Sequence, residues 1–155
     1  MSYPEALGAP VTVHRAADPP DLAGPPSVRF VAPGSVTAGR FGLFSYRMAA
    51  LGAGPGPHVH RTFSESFYVV SGELTIFDGT MWSAFGPGDF AHVPDGGVHG
   101  FRNDADTETE FLILFTPGIA REDFFRELAE IRESGRVLSA QEWTAFYARH
   151  DQVNL

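Results

Sequence analysis

The chain has 155 residues, 43% of them apolar, and a formal net charge of −8. This length predicts one domain with a substantial buried core, and the acidic balance argues against a nucleic-acid partner, which requires a basic face. Because there are no cysteines, any bound metal must be held by nitrogen and oxygen ligands. No signal peptide and no run of about 18 apolar residues is evident, so we expect a cytoplasmic protein that does not act at a membrane.

The first segment, residues 1–26, is rich in proline. It holds six prolines, two pairs among them, and prolines disfavour both helices and central strands. We therefore expect an extended N-terminal arm, with one short strand at "VTVH", residues 11–14.

Residues 27–117 show short β-type runs separated by turn residues at regular spacing. The Asp78-Gly79 pair between two apolar runs predicts a two-residue hairpin turn. Many short strands with tight turns are typical of an all-β sandwich or barrel. The predicted strands are "SVRFV", "RFGLFSYRM", "PHVH", "SFYVV", "ELTIF", "TMWSAF", "FAHVP", "VHGFRN" and "TEFLILF".

The periodicity changes in the last segment, residues 118–155. An apolar stripe with helical spacing starts at Phe124 and stops at Gly135, which predicts an amphipathic helix. A second helix is predicted to begin at Ser139, which forms a capping box with Glu142. We expect two short C-terminal helices whose apolar faces pack on the barrel or on a partner chain.

The stretch "HVHRTFSESFYVVSG", residues 58–72, places two histidines on one face of a strand. His58 and His60 are two positions apart, and side chains at that spacing point the same way. Glu65 is an odd number of residues further on, so it joins them only if a turn intervenes at residues 61–64. A metal site would require this arrangement.

A second informative stretch is "GPGDFAHVPDGGVHGFRN", residues 86–103. Its spacing predicts a strand, a tight turn and a return strand on which His99, Phe101 and Asn103 share a face. His99 would then face the same interior as His58 and His60, while Asn103 ties down the turn.

These two stretches resemble the motifs of the cupin superfamily, G-x5-H-x-H-x(3,4)-E-x6-G and G-x5-P-x-G-x2-H-x3-N. Fifteen residues, from Glu73 to Pro87, separate them, as in small bacterial members. The chain also resembles the single-barrel cupins described as quercetin dioxygenase-like. All ten fixed positions are met, by Gly52, His58, His60, Glu65, Gly72, Gly88, Pro94, Gly96, His99 and Asn103.

The resemblance implies a double-stranded β-helix barrel that holds one metal ion. The implied ligands are His58, His60, Glu65 and His99. Imidazole nitrogens with one carboxylate oxygen suit Fe(II), Mn(II), Ni(II), Cu(II) or Zn(II). The function that we expect is a metal-dependent dioxygenase, an oxidoreductase that acts with O2 on a small aromatic or enolic hydroxylated substrate.

Further residues are candidates for the substrate pocket and for catalysis. Phe67 and Phe101 share faces with the implied ligands, and Phe90 lies two residues before His92 on one strand. His92 faces either the pocket, as a hydrogen-bond donor or proton shuttle, or the surface. Glu65 is the candidate catalytic base.

Two other functions use the same four residues. One is a non-oxidative enzyme, an isomerase, cyclase or decarboxylase, in which the metal acts as a Lewis acid. The other is a non-catalytic barrel that binds a small molecule. In each case we expect a homodimer, because the arm and the helices would otherwise expose apolar surface. His14 and His150 are expected to be solvated.

Overall fold

The computed structural model describes residues 8–155 and shows ten strands and two helices in that range. The bounds are β1 Ser27–Ala32, β2 Gly42–Met48, β3 His58–Val59, β4 Ser64–Ser71, β5 Leu74–Phe77, β6 Trp82–Phe85, β7 Phe90–Val93, β8 Gly100–Arg102, β9 Thr109–Thr116, α1 Arg121–Ser134, α2 Ala140–Arg149 and β10 Val153–Asn154. Each of the nine runs predicted between residues 27 and 117 contains a strand.

The strands form two main antiparallel sheets that enclose an aromatic core. One sheet has the order β1-β2-β9-β4-β7 and the other has the order β6-β5-β8, while β3 pairs with β10. Phe67 and Phe111 from the first sheet contact Phe101 from the second, with ring centroids 5.4 and 5.5 Å apart. Alternate side chains of β9 are buried, as expected for a strand with one face on the core. The predicted double-stranded β-helix is confirmed.

Helix α1 packs its aromatic side chains on the first sheet. Phe124 and Phe125 are buried, and the ring centroid of Phe125 lies 5.0 Å from that of Phe44. The helix ends where Gly135 takes a left-handed conformation with φ 66°, which suits a residue without a Cβ.

Helix α2 begins as the sequence predicts. The Ser139 hydroxyl accepts a hydrogen bond from the Glu142 amide, and the Ser139 amide donates to the Glu142 carboxylate. Phe146 is buried and stacks on Phe124 at 5.4 Å, so the apolar face of α2 packs on α1. Both helical stripes therefore face the body of the same chain. Neither helix is long and apolar enough to cross a membrane.

Three local features differ from the expectations. Residues 11–14 form no strand, and because they pair with no sheet edge, the side chains of Val11 and Val13 are exposed. The hairpin at Asp78 has a four-residue loop, because β5 ends at Phe77 and β6 begins at Trp82. Strand β10 was not predicted, since a two-residue strand has no periodicity to detect.

Candidate metal centre

Two strands and the segments next to β3 and β8 bring the four residues of the histidine motifs together. His58 lies on β3, Glu65 lies on β4, and His99 lies beside His58 in an isolated bridge just before β8. His60 follows β3, and residues 61–63 turn the chain so that Glu65 faces back toward it. All four side chains are at most 3% exposed, and one ligand atom from each lies within 4.8 Å of the others.

Backbone carbonyls orient the three imidazole rings in the same way. The Nδ1 atoms of His58, His60 and His99 lie 2.8, 2.7 and 3.0 Å from the carbonyl oxygens of Gly56, Asp151 and Gly97. A carbonyl only accepts hydrogen bonds, so each Nδ1 carries the proton and each Nε2 is left for the centre of the cluster. This is the usual way in which a protein prepares histidines for a metal.

The chemistry of the cluster calls for a cation. Nε2 of His60 and Nε2 of His99 lie 3.0 and 2.9 Å from the same oxygen of Glu65. With protons already on both Nδ1 atoms, the Nε2 lone pairs would face a carboxylate unless further protons or a metal ion lay between them. Three imidazole nitrogens and one carboxylate oxygen therefore fit a divalent transition metal.

Burial and the neighbouring charges set the protonation of the cluster. Burial, together with the nearby His99, lowers the pKa of His58 to about 4, so this ring is neutral and available as a ligand at pH 7. Burial alone would raise the pKa of Glu65, but the contacts of its carboxylate with the His60 and His99 rings outweigh burial and hold the pKa below its usual range. Burial would also lower the pKa of His99, yet the hydrogen bond and charge of Glu65 raise it.

Residues 151–155 close one side of the cluster. Val153 and Asn154 pair with Val59 and His58. The Asp151 carboxylate accepts hydrogen bonds from the two amides of Arg61 and Thr62 and from the Thr62 hydroxyl. The segment that supplies the carbonyl for His60 is thus fastened to the same loop that carries His60.

A cavity of about 450 Å³ opens on the cluster. His58 and Glu65 form part of its wall, and the helices α1 and α2 cover it. This volume suits a small organic molecule. Most of the remaining wall is aromatic or aliphatic and consists of Tyr46, Phe101, Ile113, Phe115, Phe124, Phe125, Leu128, Ile131, Trp143 and Tyr147.

Arg121 is a cavity residue that the sequence did not reveal. It is 4% exposed, and its guanidinium lies 3.7 Å from the ring centroid of Phe124. Burial lowers the pKa of Arg121 to about 10, with Glu65 and Asp151 opposing the shift, so the side chain stays charged at neutral pH. From the sequence it looks like an ordinary polar residue at a helix start, and nothing in the apolar periodicity marks it as buried.

The four predicted pocket residues have different positions. Phe101 lines the cavity. Phe67 is 1% exposed and packs between His99 and Phe101 as a core residue. Phe90 and His92 lie outside, which corrects the expectation that Phe90 lines the pocket and places His92 at the surface, one of the two positions left open for it. They pair with Tyr68 and Ser66, and both side chains are exposed on the outer face of the sheet.

Two further expectations have clear outcomes. Asn103 ties down its loop as predicted, since its Nδ2 donates to the carbonyls of Ala49 and Thr107. His150 was expected to be solvated, but it is not. Its ring packs on Phe124 and its Nε2 lies 2.8 Å from a carboxylate oxygen of Glu127, because α2 returns against α1.

Comparison with known proteins agrees with the fold and the cluster. Residues 46–115 match the Cupin_2 family, described as the cupin domain. Both histidine motifs lie within this range. The match covers less than half of the chain, and together with the barrel and the buried cluster it makes the chain similar to the cupin superfamily.

A curated relative is the quercetin 2,3-dioxygenase of Bacillus subtilis (strain 168), which is 36% identical over 73 residues. The matched segment is 47% of this chain but only 21% of that relative. The chain thus spans about a fifth of the length of the curated protein that it matches.

Solved structures of similar fold come from several kinds of cupin. A sugar phosphate isomerase from Silicibacter pomeroyi is 28% identical with a TM-score of 0.52, and the match covers 59% of each chain. The polyketide cyclase RemF from Streptomyces resistomycificus is 22% identical with a TM-score of 0.57, covering 70% of this chain and 80% of that one. The second likeness concerns the fold alone.

Proposed function

We propose that this protein is a metal-dependent oxidoreductase, a dioxygenase for a small aromatic or enolic hydroxylated substrate. The observation that carries the proposal is the opening of the buried cluster of three histidines and one glutamate into an aromatic-walled cavity. The partial likeness to a quercetin 2,3-dioxygenase supports the oxidative chemistry. The cavity volume supports a substrate of modest size.

In this proposal His58, His60, Glu65 and His99 hold one ion of Fe, Mn, Ni, Cu or Zn. When bound, the ion supplies Lewis acidity and, for the redox-active metals, electron transfer with O2. Because each Nδ1 donates to a carbonyl, the rings keep their orientation. The cavity wall excludes water from the substrate and packs on its ring.

Glu65 has a second role in the proposal. Its carboxylate lines the cavity and accepts the proton of a substrate hydroxyl, which makes the substrate more electron-rich. The carboxylate must give up a hydrogen bond or ligand contact to do so. Glu65 therefore serves both as a ligand and as a base.

The experiment that tests the proposal is oxygen consumption by metal-analysed protein. Metal content is measured after purification without added metal, and the protein is then loaded separately with each of the five metals. Catechols and flavonols are added in an oxygen electrode. We expect substrate-dependent oxygen uptake with at least one metal, and a His99→Ala protein serves as the matched control that lacks one ligand.

The alternative is a non-oxidative isomerase, cyclase or decarboxylase that uses the metal as a Lewis acid. The likeness to a sugar phosphate isomerase of the cupin superfamily favours it. Substrate conversion that proceeds under nitrogen, where no oxygen is present, would select this alternative. Binding without conversion would select a non-catalytic binding barrel.

We also propose that the protein forms a homodimer, through a surface other than the helices. The helices pack on their own barrel, but Tyr68, Val70 and Phe90 are 45, 44 and 59% exposed. Tyr68 and Phe90 are cross-strand partners, and Val70 is two residues from Tyr68 on the same face. This patch on the outer face of the sheet supports pairing with a second copy.

A further inference from the structure

Arg121 is a buried charge whose hydrogen bonds go only to neutral oxygens. Its two Nη atoms donate to the carbonyl of His150 at 3.0 Å and to the side-chain oxygen of Gln152 at 3.1 Å. Its Nε is buried and has no hydrogen-bond partner. Within residues 8–155, no carboxylate forms an ion pair with it.

A buried guanidinium without an anionic partner lowers the stability of the folded protein. A buried guanidinium costs several kcal/mol of solvation unless an anion or further acceptors compensate it. Stacking on the Phe124 ring recovers part of that free energy, but it does not satisfy the Nε–H group. Because Nε is enclosed by protein, a compensating anion can approach the guanidinium only at the Nη atoms, from the cavity that Arg121 lines.

The charges around the cavity favour an anion. Its lining contains one acidic side chain, Glu65, and three arginines, Arg121, Arg132 and Arg136, of which Arg136 also forms an ion pair with Glu142. Glu65 is already engaged by His60 and His99. A divalent metal ion would add two further positive charges to this wall, so a neutral substrate would leave the cavity with excess positive charge.

We propose that Arg121 binds the carboxylate of an aromatic substrate whose ring lies against the aromatic wall of the cavity. This inference rests on the proposed function in that it takes the cavity as the substrate site. An Arg–carboxylate pair is short and charge-assisted, and each Nη atom keeps one N–H beyond its bond to His150 or Gln152 that can donate to the carboxylate. Arg132 and Arg136 lie at the exposed end of the cavity and attract the anion without fixing its position.

The test compares benzoate with benzamide, a neutral molecule of similar shape. The protein has two tryptophans, so in a Trp82→Phe background the only tryptophan is Trp143, which lines the cavity and reports binding by its fluorescence. We expect benzoate to bind at least about tenfold more tightly than benzamide, the usual scale for a hydrogen bond to a charged group. Equal binding of the two probes would overturn the proposal.

Two variants assign the preference to a residue. Arg121→Gln is expected to reduce the preference for benzoate to about twofold or less while benzamide binds as before, on the same scale for a lost charge-assisted bond. Arg136→Gln removes an exposed arginine from the same cavity and is expected to keep the preference. A folded Arg121→Gln protein with the full preference would contradict the assignment.

Titration of metal-stripped protein separates the arginine from the metal. Arg121 is not among the candidate ligands, so the preference for benzoate is expected to persist after chelation. Its loss would show that the metal supplies the selectivity, and this readout remains decisive if the Arg121→Gln protein does not fold. No oxygen uptake is measured, so the anion site and the oxidative function can fail independently.

Discussion

The Asp151 carboxylate offers a quantitative test of how residues outside the cluster control metal binding. It accepts three hydrogen bonds, at 2.9 and 2.8 Å from the amides of Arg61 and Thr62 and at 2.6 Å from the Thr62 hydroxyl. The Asp151 backbone carbonyl holds Nδ1 of His60. Asp151→Ala removes the three side-chain bonds and leaves the carbonyl on a segment that is less firmly held.

The expected size of the effect follows from those bonds. At about 0.5–1.5 kcal/mol each, and at the lower end because they are solvent-accessible, they sum to about 2 kcal/mol. If this free energy is lost entirely from the positioning of the His60 ring for the metal, metal affinity drops about 30-fold. That value lies within the 10- to 100-fold range usual for groups that support a ligand.

The assay is competition for Zn(II) against a chelator of known affinity, with the melting temperature followed by circular dichroism. Asp78→Ala is the matched control, since it removes two hydrogen bonds from backbone amides in a hairpin loop remote from the cluster. It is expected to leave zinc affinity unchanged. A folded Asp151→Ala protein that binds zinc within about twofold of the parent would refute the reasoning.

Three further predictions concern the cluster and the assembly. His58→Ala, His60→Ala and His99→Ala are each expected to lose most bound metal while keeping the β-sheet signal, because strand packing does not depend on the ion; full metal occupancy would contradict the ligand assignment. Glu65→Gln, reloaded with metal, is expected to bind substrate but turn over about 100-fold more slowly, because an amide cannot accept the hydroxyl proton; parental turnover would exclude Glu65 as the base. Light scattering at micromolar concentration is expected to give twice the mass of the 16.8 kDa chain, and a monomer throughout would count against the dimer.

His58, His60 and Glu65 were predictable because they lie close in sequence and follow strand geometry, whereas His99, 34 positions after Glu65, was assigned through the resemblance of its stretch to the second cupin motif. His58 and His60 share a face by strand periodicity, and the loop before Glu65 is short enough to be inferred. The cavity was less predictable, because helices from residues 121–149 cover it and their packing is a long-range property. The burial of Arg121 depends on that packing.

The misplaced pocket residues show a second limit of sequence patterns. Alternation along β7 indicates that Phe90 and His92 share a face, but it does not say which face is inside. The pairing of β7 with β4 decides this, because Glu65 faces inward and its partner Val93 must do the same. Phe90 and His92 therefore point outward, although an aromatic side chain suggested burial.

Because the Asp151 carbonyl holds His60, the metal site is completed late during protein synthesis. The two residues are 91 positions apart, so a ribosome that adds about 5–20 residues per second needs roughly 5–20 s to pass from one to the other. All four cluster residues have been translated well before residue 151. A growing chain can therefore present its histidines to metal ions while the His60 ring still lacks its carbonyl partner. Tight and selective metal uptake is expected only after the segment from residue 151 onward has joined the barrel.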